Sequence, residues 1–286
     1  MVKTIGNPLS WAAGAILGTG QVVGAAAESF GSEYTHPPET NTITLSDIRT
    51  ALEKGVEDFA AFRSDVMFLV GIYPIIGIGL AVASFNMQLL PLLFPLAAGF
   101  ALLGPLAAIG LYEMSRRREA GEEARWSVAL SALRAHVVGP VMALGTYLLA
   151  IYVLWMFCAA LIYSLTMGPD VPESAITFLR EVLTTGAGWA LIIVGMGVGF
   201  VFAAFVLVIS VISFPMLIDR RAGVPVAVAT SVKVARENPI TIATWGLIVA
   251  VSMALGSLPF FLGLVIVLPV LGHATWHLYR AAVPPR

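Results

Sequence analysis

Residues 66–112 read VMFLVGIYPIIGIGLAVASFNMQLLPLLFPLAAGFALLGPLAAIGLY, forty-seven positions without a single Asp, Glu, Lys or Arg. A helix rises about 1.5 Å per residue, so about twenty residues cross the hydrocarbon core of a bilayer. The stretch is too long for one crossing. It divides at Ser84, Asn86, Gln88 and Pro91, a polar turn that lets two helices fold back as a hairpin. Three more stretches lack charge: 135–169, 182–218 and 238–279. The last divides at Gly256-Ser257-Leu258-Pro259, and the middle two are single crossings with slack at their ends. The pattern predicts an all-α polytopic membrane protein with six spans, at about 66–85, 91–113, 138–165, 187–217, 239–256 and 259–279.

Composition agrees with this reading. Of 286 residues 58% are hydrophobic and 12% charged, about half the charge of soluble domains, so most of the surface cannot face water. The net charge of −1 gives no reason to expect a nucleic-acid partner. Position is more informative than the sum. Fifteen of the sixteen Lys and Arg residues precede the first span, follow the last, or lie between spans two and three or four and five. Arg180 alone falls on the other side, beside Asp170, Glu173 and Glu181. The positive-inside rule then places the basic face and both termini in the cytoplasm. Lys3 is followed by a Gly-rich rather than a Leu-rich run, so no cleavable signal peptide is expected. Cys158, the single cysteine, sits within a span, and neither a disulfide nor a Cys-based metal site is expected within one chain.

The chain divides into residues 1–44, a Gly/Ala-rich segment and linker, and residues 45–286, the six-helix membrane domain. In Pro8–Ala27 the pairs Gly14/Gly18 and Gly20/Gly24 have the spacing of helices that dock closely in membranes. Each Gly also costs a helix about 1 kcal/mol, and an interfacial segment is the competing reading. Gly195 and Gly199 in the fourth span offer the same close approach, either to another helix of this chain or to a partner.

Ser46–Arg63 has the period of an amphipathic helix. Ile48, Leu52, Val56, Phe59 and Phe62 form one stripe, and Arg49, Glu53, Lys54, Glu57 and Asp58 lie opposite. Ser46 is placed to cap it, and the helix is expected along the cytoplasmic membrane surface. Trp126, Leu130, Leu133 and Val137 repeat the pattern after span two, as do Val224, Val228, Val232 and Ala235 after span four. Gly121 to Arg134 and Gly223 to Arg236 are each thirteen residues apart. A threefold internal repeat of one surface helix and two spans follows as an expectation.

Few residues carry chemistry. His273 and His277 share a helix face, a spacing that suits a metal or haem. No third histidine but His136 lies at matching depth, and Trp276, Tyr279 and Arg280 around the pair read as an interfacial anchor belt. No metal or cofactor is therefore expected. Arg116, Arg117 and Arg118, with Arg220 and Arg221, are placed to meet anionic lipid headgroups or to set topology. No charged residue falls in mid-span, which argues against ion-coupled transport. Nucleophile, zinc and phosphate-loop motifs are missing, and the chain is not expected to be an enzyme.

Several segments carry a family resemblance: Phe62-Arg63-Ser64-Asp65 leading to Tyr73-Pro74-Ile75-Ile76-Gly77, the long run Pro91 to Pro105, Gly110-Leu111-Tyr112-Glu113-Met114-Ser115-Arg116-Arg117, Ser213 to Arg220, and Pro269 through Arg280. Together, over about residues 45–281, they resemble the bacterial membrane-protein family DUF2189. The resemblance implies a multi-pass protein of the bacterial inner membrane. Some relatives bear the label of a cytochrome c oxidase subunit I. A haem–copper catalytic subunit needs about six buried histidines and this chain has four, His36 among them in the linker. The expected role is a non-catalytic accessory, assembly or scaffold subunit of a membrane complex, in contact with membrane lipids. A respiratory complex is one such partner, and a pore or carrier for a neutral or lipid-like solute is the alternative.

Overall fold

Thr44 starts the first helix. Its backbone N–H and its hydroxyl both donate to Asp47 Oδ2, at 2.7 Å each, so an orphan donor at the helix start is met from within the first turn. The cap is Thr44 with Asp47, two residues earlier than the expected Ser46. The computed structural model describes residues 37–70, 79, 82, 89–102, 104–122, 135–258 and 261–285. Helix α1 is Leu45–Val70, and a short 3₁₀ turn at Leu90–Leu92 leads into α2 (Leu93–Leu102), α3 (Gly104–Ala107) and α4 (Ile109–Glu119). Then come α5 (Ala135–Thr166), α6 (Ala175–Thr184), α7 (Gly186–Ser210), α8 (Ser213–Asp219), α9 (Val224–Glu237), α10 (Pro239–Ser257) and α11 (Leu264–Ala282). No strand occurs among the described residues.

Among the described residues, three stretches are long and apolar enough to cross a membrane: Val137–Thr166, Gly186–Asp219 and Pro239–Ser257. They correspond to the third, fourth and fifth expected spans. Within the second expected span, 91–113, the described residues are helical from Leu93 to Leu102 and from Gly104 to Glu119 with a turn at Ala108, and Leu103 lies outside the described residues. Pro91 lies in the 3₁₀ turn, Pro95 in the first turns of α2, and Pro105 in α3. Each proline lacks an N–H and fixes φ, so each resists a continuous ladder. Gly14, Gly18, Gly20 and Gly24, most of the first span and the segment around Trp126 lie outside the described residues.

The stretch 186–219 breaks at Val211–Ile212, between α7 and α8. Pro215 cannot donate to Val211, and its ring crowds that carbonyl. One turn earlier the ladder is bridged from outside. Ser231 Oγ on α9 donates to the Val208 carbonyl at 2.7 Å and accepts from Ile212 N–H at 3.3 Å. Val208 and Ile212 are the i and i+4 partners of a normal helical turn, so the hydroxyl stands in for their direct bond. An inserted side chain of this kind is a recognised cause of a helix bend.

Helix α1 runs without interruption from the amphipathic segment to Val70. It is not simply laid along a surface. Its buried face is Ile48, Ala51, Gly55 and Asp58, whereas Val56, expected on the apolar stripe, is 53% exposed. The seam follows the small residues because they let α1 reach α11. A Cβ added at Gly55 would sit 2.8 Å from Ala274 Cβ, Ala274 N and the Val270 carbonyl oxygen. Across the molecule, buried side chains gather toward the ends of α4, α5, α7, α10 and α11 that lie near the Arg-rich segments. Met114, Leu144, Phe214, Trp245, Trp276 and Tyr279 are among the least exposed.

Gly55→Ala is therefore expected to destabilise the protein by about 1–3 kcal/mol, because backbone atoms cannot swing away from the new methyl. Thermal unfolding in detergent micelles measures this. Gly195→Ala, where a Cβ meets nothing within 4 Å, is the control and should hold the midpoint or raise it slightly through helix propensity. Equal midpoints for the two variants would show that α1 is not seated on α11.

Candidate functional site

Gly55 brings α1 close enough to bury a carboxylate one turn further on. Asp58 is 4% exposed and lies among side chains from α4 and α11. Ser115 Oγ donates to Asp58 Oδ2 at 2.5 Å, Arg118 Nη1 donates to Oδ1 at 2.5 Å, and His277 Nε2 lies 2.9 Å from Oδ2. Ser115 Oγ is also 2.8 Å from His273 Nδ1. A hydroxyl has one proton. Ser115 gives it to the carboxylate, so the hydroxyl accepts from His273, which must carry a proton on Nδ1. By the same logic His277 donates through Nε2, since an ionised carboxylate only accepts. His273 Nε2 is buried and takes no hydrogen bond. The Phe62 ring stands 6.0 Å from the His273 ring, and the Arg118 guanidinium lies 6.0 Å from the Phe62 centroid.

Burial alone would push the Asp58 carboxyl up. The hydrogen bonds from His277 and Ser115 and the charge of the two imidazoles outweigh it and hold the group at about 2. The cluster is a closed set of donors around one anion, the condition under which a buried charge is tolerated.

A second network ties α4, α8 and α11 together. Tyr279 Oη donates to Asp219 Oδ2 at 2.6 Å, and Arg280 Nη1 donates to the same oxygen at 3.1 Å. Arg280 Nε and Trp276 Nε1 both donate to Glu119 Oε2, at 2.8 and 3.0 Å, while the Arg280 guanidinium lies 4.9 Å from the Trp276 ring. Trp276 and Tyr279 are fully buried. They are core residues of the Arg-rich end, where an interfacial anchor belt was expected, because each ring has a polar tip that finds a carboxylate inside the chain.

The residues singled out by sequence fall as follows. His273 and His277 meet around Asp58, which sequence reading had put on the polar face of α1. No group of three or more His, Cys, Asp or Glu with metal-holding geometry occurs among the described residues. Arg116 and Arg117 reach Glu113, with Nε distances of 2.6 and 2.7 Å, and Arg118 reaches Asp58. Arg220 Nε lies 3.3 Å from Asp219, its Nη2 donates to the Pro284 carbonyl, and Arg221 is exposed in the turn before α9. Gly199 faces Trp155, whose Cη2 would lie 3.0 Å from an added Cβ, and Gly195 faces open space. Asp58 and Ser115 were missed. A lone Asp beside Glu57 gives no hint of burial, and only the Gly55 contact with another helix explains it.

Asp58 should impose an acid limit on stability. Its folded value is depressed, so its contribution is complete above the ordinary carboxyl value of 3.8 and is lost as pH falls toward about 2. At 1.36 kcal/mol per unit the loss is about 2 kcal/mol. Unfolding in micelles followed from pH 5 to pH 2 is expected to show it, and Asp58→Asn to remove that part of the slope while lowering stability at pH 7 by about 2–3 kcal/mol. A slope identical in the variant would assign the acid limit elsewhere.

Neither a curated protein nor a solved structure matches the chain. Residues 92–219, from the turn before α2 to the end of α8, match the family model described as Predicted integral membrane protein (DUF2189), to which the chain is similar over that stretch.

Proposed function

We propose that this chain is a non-catalytic accessory, assembly or scaffold subunit of a membrane complex, built on six spans with both termini in the cytoplasm. The observation that carries the reading is how the two halves of the described helices divide their chemistry. At the Arg-rich end the carboxylates of Asp58, Glu113, Glu119 and Asp219 are each spoken for by side chains of the same molecule. Toward the other end the long helices turn apolar side chains outward: Phe157 on α5, Ile193 and Phe200 on α7, Leu247 and Leu255 on α10. A molecule arranged in this way offers apolar docking area and little reactive polarity. Lipid takes part of that area, and a neighbouring membrane protein takes the rest. Fifteen of sixteen basic residues on one side support the orientation, and bacterial inner membrane is the location that fits it.

The second reading, a pore or carrier for a neutral or lipid-like solute, draws support from the broken run at 90–119, since discontinuous helices build substrate sites in many transporters.

Two measurements separate these readings. Purification from native membranes in mild detergent, at native expression, should return a defined membrane complex with the chain at fixed stoichiometry. Recovery of the lone chain, together with solute flux in proteoliposomes that is absent from empty vesicles, would overturn the subunit reading in favour of transport.

A further inference from the structure

Between the long helices α5 and α7 lies a short one, in the segment where Arg180 stands beside Asp170, Glu173 and Glu181. Helix α6 has firm ends: Ser174 Oγ accepts from Thr177 N–H at 3.1 Å, and Thr185 Oγ1 accepts from Gly188 N–H at 3.0 Å to start α7. Thr185 is the only residue between α6 and α7. A side chain at Gly188 would run into the backbone of Glu181 and Val182, so the two helices meet almost backbone to backbone and α6 is held at the mouth of α7.

At 100° per residue the positions of α6 after Ala175 sort into three sectors. Phe178 and Val182 are half-buried against the molecule, with Phe178 edge-on to Tyr163 of α5 at 6.2 Å. Thr177, Arg180, Glu181 and Thr184 form the polar sector. Between them lies a third sector, Ile176, Leu179 and Leu183, apolar and 76, 59 and 52% exposed. The adjoining helix ends also carry exposed apolar side chains, Leu165 of α5 and Trp189 and Ile193 of α7. Trp189, one turn into α7, is the residue type that marks the membrane–water boundary.

We infer that α6 lies in the membrane interface on the side opposite the Arg-rich end, with Ile176, Leu179 and Leu183 immersed among the acyl chains of that leaflet. Lipid is the occupant favoured by position. The helix is tethered within nine residues of one span end and one residue of the next, so it stays at the depth where acyl chains give way to headgroups. Its three-sided division, toward protein, hydrocarbon and water, matches that depth. Arg180 and Glu181 then face the aqueous side, with Asp170 and Glu173 in the preceding loop. The inference rests on α5 and α7 being spans.

Nitroxide labelling tests it on the full chain in liposomes. In a Cys158→Ser background, or Cys158→Ala where that folds better, single cysteines replace Ile176, Leu179, Leu183, Arg180, Glu181 and Thr184 in turn. Leu165→Cys and Ile193→Cys report on the spans. Collision rates with oxygen, which partitions into hydrocarbon, are compared with those of a water-soluble nickel chelate. Labels at 176, 179 and 183 should collide several-fold more with oxygen than with nickel, and labels at 180, 181 and 184 the reverse. Nickel access at all six, with oxygen access at 165 and 193, would place α6 in water and sink the proposal alone. Shielding of 176, 179 and 183 from both reagents would give the stripe to a protein neighbour and equally overturn it. Loss of oxygen access at 165 and 193 would strike the span reading itself.

Discussion

An anion in a low-dielectric setting must be surrounded by donors, and the Arg-rich end of this molecule is organised around meeting that demand at Asp58. The carboxylate draws one hydroxyl and one guanidinium from α4 and one imidazole from α11, and through Ser115 it fixes the proton on a second imidazole. Each donor arrives on a helix that the aspartate does not belong to. The contact at Gly55 is what makes this affordable, since it lets α1 approach α11 closely enough for a short side chain to reach. Remove the close approach and the carboxylate loses its partners; remove the carboxylate and Ser115 and His277 lose their acceptor, while Arg118, 41% exposed, turns to water.

The second network applies the same rule with a different cast. Glu119 and Asp219 gather Trp276, Tyr279 and Arg280 from a single face of α11, so that helix is held by polar contacts along two sides. In a chain with so few charges, placing these groups together at one end has a packing effect. It concentrates directional interactions there and leaves van der Waals contact as the main cohesion elsewhere, as is general for helices within a bilayer.

Much of this architecture was legible in the sequence because exclusion of charge is a local property. The stretches 135–169 and 182–218 became α5 and α7–α8 with ends within a few residues of those expected, and Pro225 in the first turn and Asn238-Pro239 at the end bound α9. What escaped was whatever depends on a neighbour. Asp58 sits at a position that periodicity assigns to the solvent face, and the identity of the opposing surface, Ala274 against Gly55, reversed it. Trp276 and Tyr279 have the composition of a lipid boundary, and only the placement of Glu119 and Asp219 across from them shows otherwise. The run 91–113 is apolar throughout, and the 3₁₀ turn at Leu90–Leu92 and the turn at Ala108 within or beside it depend on local backbone geometry that charge exclusion does not report. The α6 stripe was hidden for the opposite reason: Asp170, Glu173 and Glu181 dominated a segment whose apolar residues are spaced three and four apart.

The hydroxyl of Ser231 completes a helical turn to which it does not belong, and this has a bearing on biosynthesis. Val208 and Ser231 are 23 residues apart in the chain. At about 5–20 residues per second, α7 has been made for roughly one to five seconds before the group that bridges its last turn exists. During that interval the Val208 carbonyl and the Ile212 N–H are free to bond each other directly, as in an unbent helical turn. The bend between α7 and α8 is thus settled only when α9 arrives, and a span and the helix after it mature as one unit.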